Sequence, residues 1–195
     1  RHRLLADRSR YHMSLTVLIG GARSGKSSLA VDIGRRYQAD CSGPVSFIAT
    51  APASDDDMRQ RIERHINERP ADWRTIQEQL NLSTAVDAVP EGLIIIDCLT
   101  LWTSNLMWDG RSDQYIRNQA TTDAANVGLR SDPVVVITNE VGLGIVPENA
   151  LARRYRDAHG FVNQEWAAAA DTVLHLVAGR ATKLEDPWTL LDDFQ

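Results

Sequence analysis

The sequence has few cysteines and no long apolar run. Its two cysteines, Cys41 and Cys98, are too few for a disulfide framework or a structural zinc site, and Cys98 stands in an apolar run. We therefore expect both to be reduced thiols of a cytoplasmic protein. No segment approaches the roughly 18 uninterrupted apolar residues that a membrane span needs. The amino-terminal residues include arginines but no hydrophobic signal core.

Basic residues are also too few for a nucleic-acid surface. The chain has 21 Lys and Arg against 26 Asp and Glu, which gives a formal net charge of −5 and a pI of about 5.5. Proteins that bind nucleic acid along its phosphates need a broad basic surface. We therefore predict no nucleic-acid partner and no membrane partner, and a small anion has to be bound by a local group of residues.

The sequence does show a regular alternation of apolar strands and helices. Strands are predicted at 15–19, 45–49, 92–97, 134–137 and 171–178, and helices at 26–38, 54–70, 99–108, 121–129 and 148–170, the last with a break near Gly160. Strands that are apolar throughout are typical of a parallel sheet covered on both faces, an α/β fold.

The length of 195 residues is sufficient for one domain with a substantial core. We expect this domain to span residues 13–195. Residues 1–12 are polar, carry four arginines and precede Met13, which stands just before the first predicted strand. We interpret them as a disordered extension.

The strongest motif follows the first predicted strand and reads Gly20-Gly21-Ala22-Arg23-Ser24-Gly25-Lys26-Ser27. Its spacing is that of a phosphate-binding loop, in which glycines let successive backbone N–H groups point at phosphate oxygens. Lys26 would place its charge on the β- and γ-phosphates, and the Ser27 hydroxyl could bind Mg²⁺. The alternative is a glycine-rich turn without a ligand.

An acidic residue, Asp97, ends the strand predicted at 92–97. A carboxylate at the end of a buried strand is the usual acidic partner of a phosphate-binding loop, and it holds Mg²⁺ directly or through water. The alternative is that Asp97 caps the following helix.

A histidine among arginines marks the helix predicted at 54–70. Arg61, His65 and Arg69 are four residues apart and share one face of this helix. A neutral imidazole can attack phosphorus to give a phosphoramidate, and neighbouring guanidinium groups would bind phosphate and disfavour protonation of the imidazole. From spacing alone, His65 could equally be an ordinary surface residue.

The segment 139–147 follows a strand and contains two glycines, so it could bind substrate at the carboxyl edge of the sheet or be a structural turn. We treat these alternatives as even. The five tryptophans are expected mostly in the core or at an interface: Trp73, Trp102, Trp108, Trp166 and Trp188.

Several motifs in this order resemble one family, the adenosylcobinamide kinase and adenosylcobinamide-phosphate guanylyltransferase (CobU/CobP) family of cobalamin synthesis. The resemblance spans about residues 15–184. It is carried by the loop 20–27 and by Phe47-Ile48-Ala49-Thr50, Arg61-Ile62 through His65 to Arg69-Pro70, Trp73-Arg74-Thr75, Asp97-Cys98-Leu99-Thr100, and Thr138-Asn139-Glu140-Val141-Gly142-Leu143-Gly144-Ile145-Val146-Pro147.

The resemblance implies a P-loop, RecA-like fold and a bifunctional enzyme. Family members phosphorylate adenosylcobinamide with ATP or GTP, then transfer GMP from GTP through a GMP-histidine intermediate, which falls on His65 here. The resemblance also implies a homotrimer. The residues it assigns to nucleotide binding are Gly20, Gly21, Ala22, Arg23, Ser24, Gly25, Lys26, Ser27, Thr50, Ala51, Pro52, Asn67, Glu68, Arg69 and Asp97, with Lys26 also catalytic and Ser27 and Asp97 holding Mg²⁺.

Where the family often has glutamate two positions after Trp73-Arg74-Thr75, this chain has Gln77, followed by Glu78. Two other functions stay open at this point. One is a P-loop kinase of another small hydroxylated metabolite, and the other is a nucleotide-binding protein without transfer chemistry. Which of ATP and GTP serves the first step also stays open.

Overall fold

The computed structural model describes residues 15–41, 43–52 and 69–191. Most of the helix predicted at 54–70 lies outside these residues, as does the amino-terminal segment before Leu15. The described strands are β1 (Leu15–Gly20), β2 (Val45–Ala49), β3 (Arg74–Gln77), β4 (Leu93–Asp97), β5 (Val134–Asn139), β6 (Thr172–Val177) and β7 (Arg180–Leu184). The described helices are α1 (Lys26–Cys41), α2 (Leu82–Asp87), α3 (Leu99–Trp108), α4 (Asp113–Gly128), α5 (Ala150–Ala169) and α6 (Pro187–Leu190).

All seven described strands form one sheet in the order β3-β2-β4-β5-β1-β6-β7. Neighbouring strands are parallel except β6 and β7, which are antiparallel. Strand β5 lies between β1 and β4, with Asn139 opposite Gly20 and Ile137 opposite Asp97. The carboxyl ends of these three strands therefore meet at one edge, where ligands of parallel sheets bind.

The core has two layers, one on each face of the sheet. Side chains alternate along β4, so that Ile94 and Ile96 join one layer and Leu93 and Ile95 join the other. The first layer includes buried residues of α2 to α5, and the second includes residues of α1. This arrangement confirms the predicted fold class, an α/β fold with a mostly parallel sheet flanked by helices.

Helix α1 is joined to the edge strand β3 through Trp73. A Cβ atom on Gly34 of α1 would come within 2.3 Å of the Trp73 ring, so glycine is needed for this contact. The Trp73 indole N–H also donates to Gln38 Oε1 at 3.0 Å. Trp73 thus packs on α1 and leads directly into β3.

Five elements differ from the sequence-based prediction. Strand β3 and helix α2 were not predicted, because Arg74–Gln77 is mostly exposed and has no apolar run and α2 has only six residues. Helix α4 begins at Asp113 rather than at 121, since Ser112 caps it by accepting a hydrogen bond from Tyr115 N. Helix α5 has no break at Gly160, and β7 lies in a segment that was not predicted to be a strand.

Two absences noted in the sequence have structural counterparts. Cys41 and Cys98 are both reduced thiols. Within the described residues, no helix is both long and apolar enough to cross a membrane.

Of the five tryptophans, Trp73, Trp102 and Trp166 are buried, and Trp108 and Trp188 are exposed.

Candidate active site

The phosphate-loop motif connects β1 to α1, and Lys26 is the first residue of the helix. The Lys26 ammonium donates to Gly20 O at 2.8 Å, to Gly21 O at 2.7 Å and to Ser24 Oγ at 3.2 Å. Burial lowers the pKa of Lys26 from its usual value of 10.5, and the charge of Asp97 acts in the opposite direction. The loop therefore surrounds the Lys26 ammonium, and a bound phosphate can replace the loop oxygens as the acceptor of its hydrogen bonds.

Two glycines of the loop lie close to the β6–β7 turn. A Cβ atom on Gly20 would approach Leu176 O to 2.3 Å, which the sheet pairing forbids. Gly25 has φ +100, a conformation that side chains resist, and Gly179 N donates to the neighbouring Ser24 O at 2.9 Å. The spacing of the motif thus has a structural cause in addition to phosphate binding.

Ser27 and Asp97, the two predicted Mg²⁺ ligands, lie together at the carboxyl edge of the sheet. The Ser27 hydroxyl donates to Asp97 Oδ2 at 3.2 Å. Ser27 lies at the start of α1, after β1, and Asp97 ends β4; β5 lies between these two strands in the sheet. The residue that caps α3 is Cys98 rather than Asp97. A hydroxyl and a carboxylate are oxygen donors of the kind Mg²⁺ takes, usually with only one or two protein ligands beside phosphates and waters. These residues therefore fit the ion.

Thr50, predicted to contact nucleotide, is completely buried and connects β2 to the end of β4. Its hydroxyl donates to Cys98 O at 2.8 Å and accepts from Cys98 N at 2.7 Å, while Asn105 Nδ2 donates to Thr50 O at 2.8 Å. The Thr50 side chain is thus bonded to backbone, and Ala51 and Pro52 follow it half-buried at the same edge.

The remaining predicted nucleotide contacts are only partly described. His65, Asn67 and Glu68 lie outside the described residues. The Arg69 guanidinium lies 3.2 Å from the centroid of the Phe47 ring, a cation–π contact on β2. Glu78 accepts hydrogen bonds from Leu80 N at 2.8 Å and Asn81 N at 2.9 Å, so its carboxylate stabilises the turn before α2.

A buried polar network behind the end of β5 was not predicted. His159 Nε2 donates to Asn139 O at 3.0 Å, and Asn163 Nδ2 donates to the same oxygen at 3.0 Å. Thr138 Oγ1 donates to Asn163 Oδ1 at 2.6 Å, and Thr103 Oγ1 lies 3.0 Å from His159 Nδ1. Two side chains of α5 therefore hold one carbonyl at the carboxyl edge of the sheet.

One partner of His159 defines which ring nitrogen carries a proton. The Asn139 carbonyl can only accept, so Nε2 carries the proton. Thr103 Oγ1 lies 3.0 Å from Nδ1 and donates its own proton to Leu99 O at 2.8 Å. Burial lowers the pKa of His159 from its usual 6.5 to about 4; the hydrogen bond to Asn139 and the charge of Glu140 act in the opposite direction. His159 is therefore a neutral imidazole at neutral pH.

The sequence does contain a signal for this network. His159 and Asn163 are four residues apart on the buried face of α5, among Ala158, Val162 and Trp166. Polar residues at helical spacing inside an apolar stripe need partners, and Thr138-Asn139 at a strand end could supply them.

The segment 139–147 divides into two parts. Its first residues pack on the phosphate loop, since Glu140 N donates to Gly20 O at 3.2 Å and Asn139 N donates to Thr100 Oγ1 at 2.9 Å. Farther on, Leu143 and Ile145 are almost fully exposed. This segment is thus structural at its start and available to a ligand beyond it.

The parallel sheet brings the buried lysine of the phosphate loop and the Ser27–Asp97 pair to one edge. These features define a P-loop protein that binds nucleoside triphosphates. The family model for "Cobinamide kinase / cobinamide phosphate guanyltransferase" matches residues 16–184. The chain belongs to this family.

Three curated relatives agree with the family model. The "Bifunctional adenosylcobalamin biosynthesis protein CobU" of Escherichia coli is 37% identical, over 88% of this chain and 99% of the relative. The protein of the same name from Salmonella typhimurium is 39% identical over the same shares. CobP of Pseudomonas aeruginosa, also called bifunctional, is 38% identical over 84% of this chain and 92% of its own. The predictions of family, bifunctional transferase and nucleotide use are confirmed at this level.

Proposed function

We propose that this chain phosphorylates adenosylcobinamide with ATP or GTP and then transfers GMP from GTP to adenosylcobinamide phosphate, giving adenosylcobinamide-GDP. The observation that carries the proposal is the family match, which covers the phosphate loop, His65 and Asp97 together. The names of the three relatives, which link them to adenosylcobalamin synthesis, agree with it.

Nucleotide binds in this proposal at the carboxyl edge of the sheet. The N–H groups of the loop, Gly20 to Gly25, hold phosphate oxygens, and the Lys26 ammonium leaves the loop carbonyls for the β- and γ-phosphates. Arg69 and residues 50–52, together with Asn67 and Glu68, contact the nucleoside part. Mg²⁺, when bound by Ser27 and Asp97, supplies positive charge that neutralises the phosphates.

In the first step the hydroxyl on the aminopropanol arm of adenosylcobinamide attacks the γ-phosphorus. A new O–P bond forms, the bond from the γ-phosphorus to the β–γ bridging oxygen breaks, and a nucleoside diphosphate and a proton leave. Lys26 stabilises the negative charge that develops on the transferring group.

In the second step an imidazole nitrogen of His65 attacks the α-phosphorus of GTP. A P–N bond forms and pyrophosphate leaves, so that the phosphoramidate retains the energy of the broken bond. An oxygen of adenosylcobinamide phosphate then attacks the same phosphorus and the P–N bond breaks, which regenerates His65.

The test is incubation of the purified protein with α-labelled GTP and Mg²⁺ in the absence of corrinoid. After denaturation we expect an acid-labile, hydroxylamine-sensitive label on the peptide that contains His65. The variant His65→Ala should give no label while it keeps part of the kinase activity. His175→Ala, on β6, is the matched control and should be labelled like the unchanged protein.

A label that persists in His65→Ala would overturn the assignment of the nucleophile. Absence of label from a protein that binds GTP and phosphorylates a corrinoid would limit the function to the first step. Binding of GTP without any transfer would favour a nucleotide-binding protein without transfer chemistry.

We also propose that residues 13–195 form one domain, that the protein is cytoplasmic and that it assembles as a homotrimer. The single sheet formed by the described strands supports the first statement. Exposed apolar side chains near the β7 edge support self-association: Leu184, Trp188 and Leu190. Sedimentation equilibrium measures the number of subunits.

A further inference from the structure

The end of β5 is held from both sides by buried groups. On one side the Thr100 hydroxyl accepts from Asn139 N at 2.9 Å, and on the other His159 and Asn163 both donate to Asn139 O. Tyr155 supports this arrangement, because its ring stacks on His159 at 5.5 Å and its hydroxyl donates to Thr100 O at 3.0 Å. Both backbone groups of one residue are therefore fixed by α3 and α5.

The peptide group between Asn139 and Glu140 is hydrogen-bonded directly to the phosphate loop. Glu140 N, which follows Asn139, donates to Gly20 O at 3.2 Å, and Gly20 O also accepts from the Lys26 ammonium at 2.8 Å. The Glu140 N–H group thus orients the Gly20 carbonyl, and this carbonyl is one of the hydrogen-bond partners of Lys26. Asn139 O and Glu140 N belong to one planar peptide group, so two sets of hydrogen bonds, from α5 to Asn139 O and from Glu140 N to Gly20 O, are joined through it.

We propose that His159 and Asn163 are positioning residues of the transferase site, which fix the Asn139 carbonyl and through it the first glycine of the phosphate loop against Lys26. Neither residue touches nucleotide. Phosphoryl transfer requires a fixed Lys26 because its rate is sensitive to sub-ångström placement of the charged groups around the phosphate. The inference rests on the proposed function for its kinetic readout and on the fold alone for its second readout.

The kinetic test compares His159→Phe with His159→Gln. Phe keeps the ring against Tyr155 but removes the donor, so we expect kcat of the kinase step to fall about tenfold. The KM for nucleotide should change less than about twofold, because the loop N–H groups that bind phosphate are unaltered. Gln returns an N–H near the position of Nε2 and should recover most of kcat.

The matched control is Val162→Ala, a fully buried apolar residue of the same helix. It lowers stability but removes no hydrogen-bond donor to Asn139, so its kcat should stay unchanged well below its unfolding temperature. If His159→Phe does not fold, Asn163→Leu removes the other donor and gives the same comparison.

The second readout is amide hydrogen exchange, which needs no activity. In His159→Phe the peptide that covers residues 139–142 should exchange about tenfold faster, because it contains the N–H groups of Asn139 and Glu140, whereas in Val162→Ala it should not. Unchanged exchange and unchanged kcat in His159→Phe would overturn the inference, as would failure of Gln to recover kcat. If the protein without substitutions is inactive, the proposed function is contradicted instead. The exchange result then still decides whether His159 positions the Asn139 peptide group.

Discussion

Lys26 and Ser27 are adjacent in sequence but contact different partners. Lys26 turns back into its own loop, whereas Ser27 reaches across the sheet edge to Asp97. In the proposed function the same short motif contributes a cation for phosphate and an oxygen for a metal ion. Both side chains already lie at the carboxyl edge of the sheet, so in the proposed function each one only exchanges a hydrogen-bond partner when nucleotide arrives.

Replacement of this lysine should damage both steps. We expect Lys26→Ala to lower kcat/KM of phosphorylation and of GMP transfer at least about 100-fold, because the charge that develops on the phosphates loses its partner. Steady-state rates with ATP and GTP measure the effect. The chain has only two lysines, so Lys183→Ala is a natural control. Lys183 is exposed and pairs with Glu185, and an equal loss in this variant would contradict the assignment.

Among the elements, β1 depends on one glycine for its pairing with β6. In Gly20→Ala the new methyl group would meet Leu176 O, and we expect the free energy of unfolding to fall by about 2 kcal/mol or more. Gly21→Ala is the matched control, since a Cβ there has no atom within 4 Å. Urea unfolding measures both, and a similar loss of stability in the two variants would show that the contact with β6 is unimportant.

The strands that could be predicted from sequence are those with an apolar run. Strands β1, β4 and β5 are buried on both faces, and their continuous apolar sequences are typical of central strands in a parallel sheet. Strand β3 has no such pattern because it lies at the sheet edge with most side chains exposed, and its position depends on Trp73 packing against Gly34. Such a contact between distant segments has no local signal.

The candidate site shows the same division. The loop and Asp97 could be predicted because each has a strict spacing or a strand-end position. The role of Thr50 in bonding to Cys98 and the contacts of His159 with Asn139 could not, since each joins side chain to backbone across the fold. Only the paired spacing of His159 and Asn163 on α5 carried a hint of them.

At the scale of the whole molecule, the buried imidazole makes stability depend on pH. The pKa of His159 is about 4 in the folded chain against its usual 6.5, so the unfolded chain binds this proton first as pH falls. The stability that the neutral imidazole gives to the folded chain is fully present above pH 6.5 and is lost as the pH falls toward 4. We expect the free energy of unfolding to decrease by about 2 kcal/mol between pH 7 and pH 5 from this group alone.

Urea unfolding of the protein and of His159→Phe at both pH values isolates this effect. Other titrating groups are common to the two proteins, including Asp123, whose pKa burial raises. The variant should show the smaller decrease. Parallel pH profiles would mean that the imidazole is not held neutral in the fold.

The order of the strands has a consequence for how the protein is made. The strand that carries the phosphate loop is the first described strand, yet its two neighbours are β5 and β6, so Leu15 pairs with Val134 and Thr16 with Thr172. On a ribosome the loop therefore has no partners until most of the chain has been synthesised. Nascent chains stopped before β5 should not retain nucleotide, and affinity should arise late and abruptly as β6 emerges.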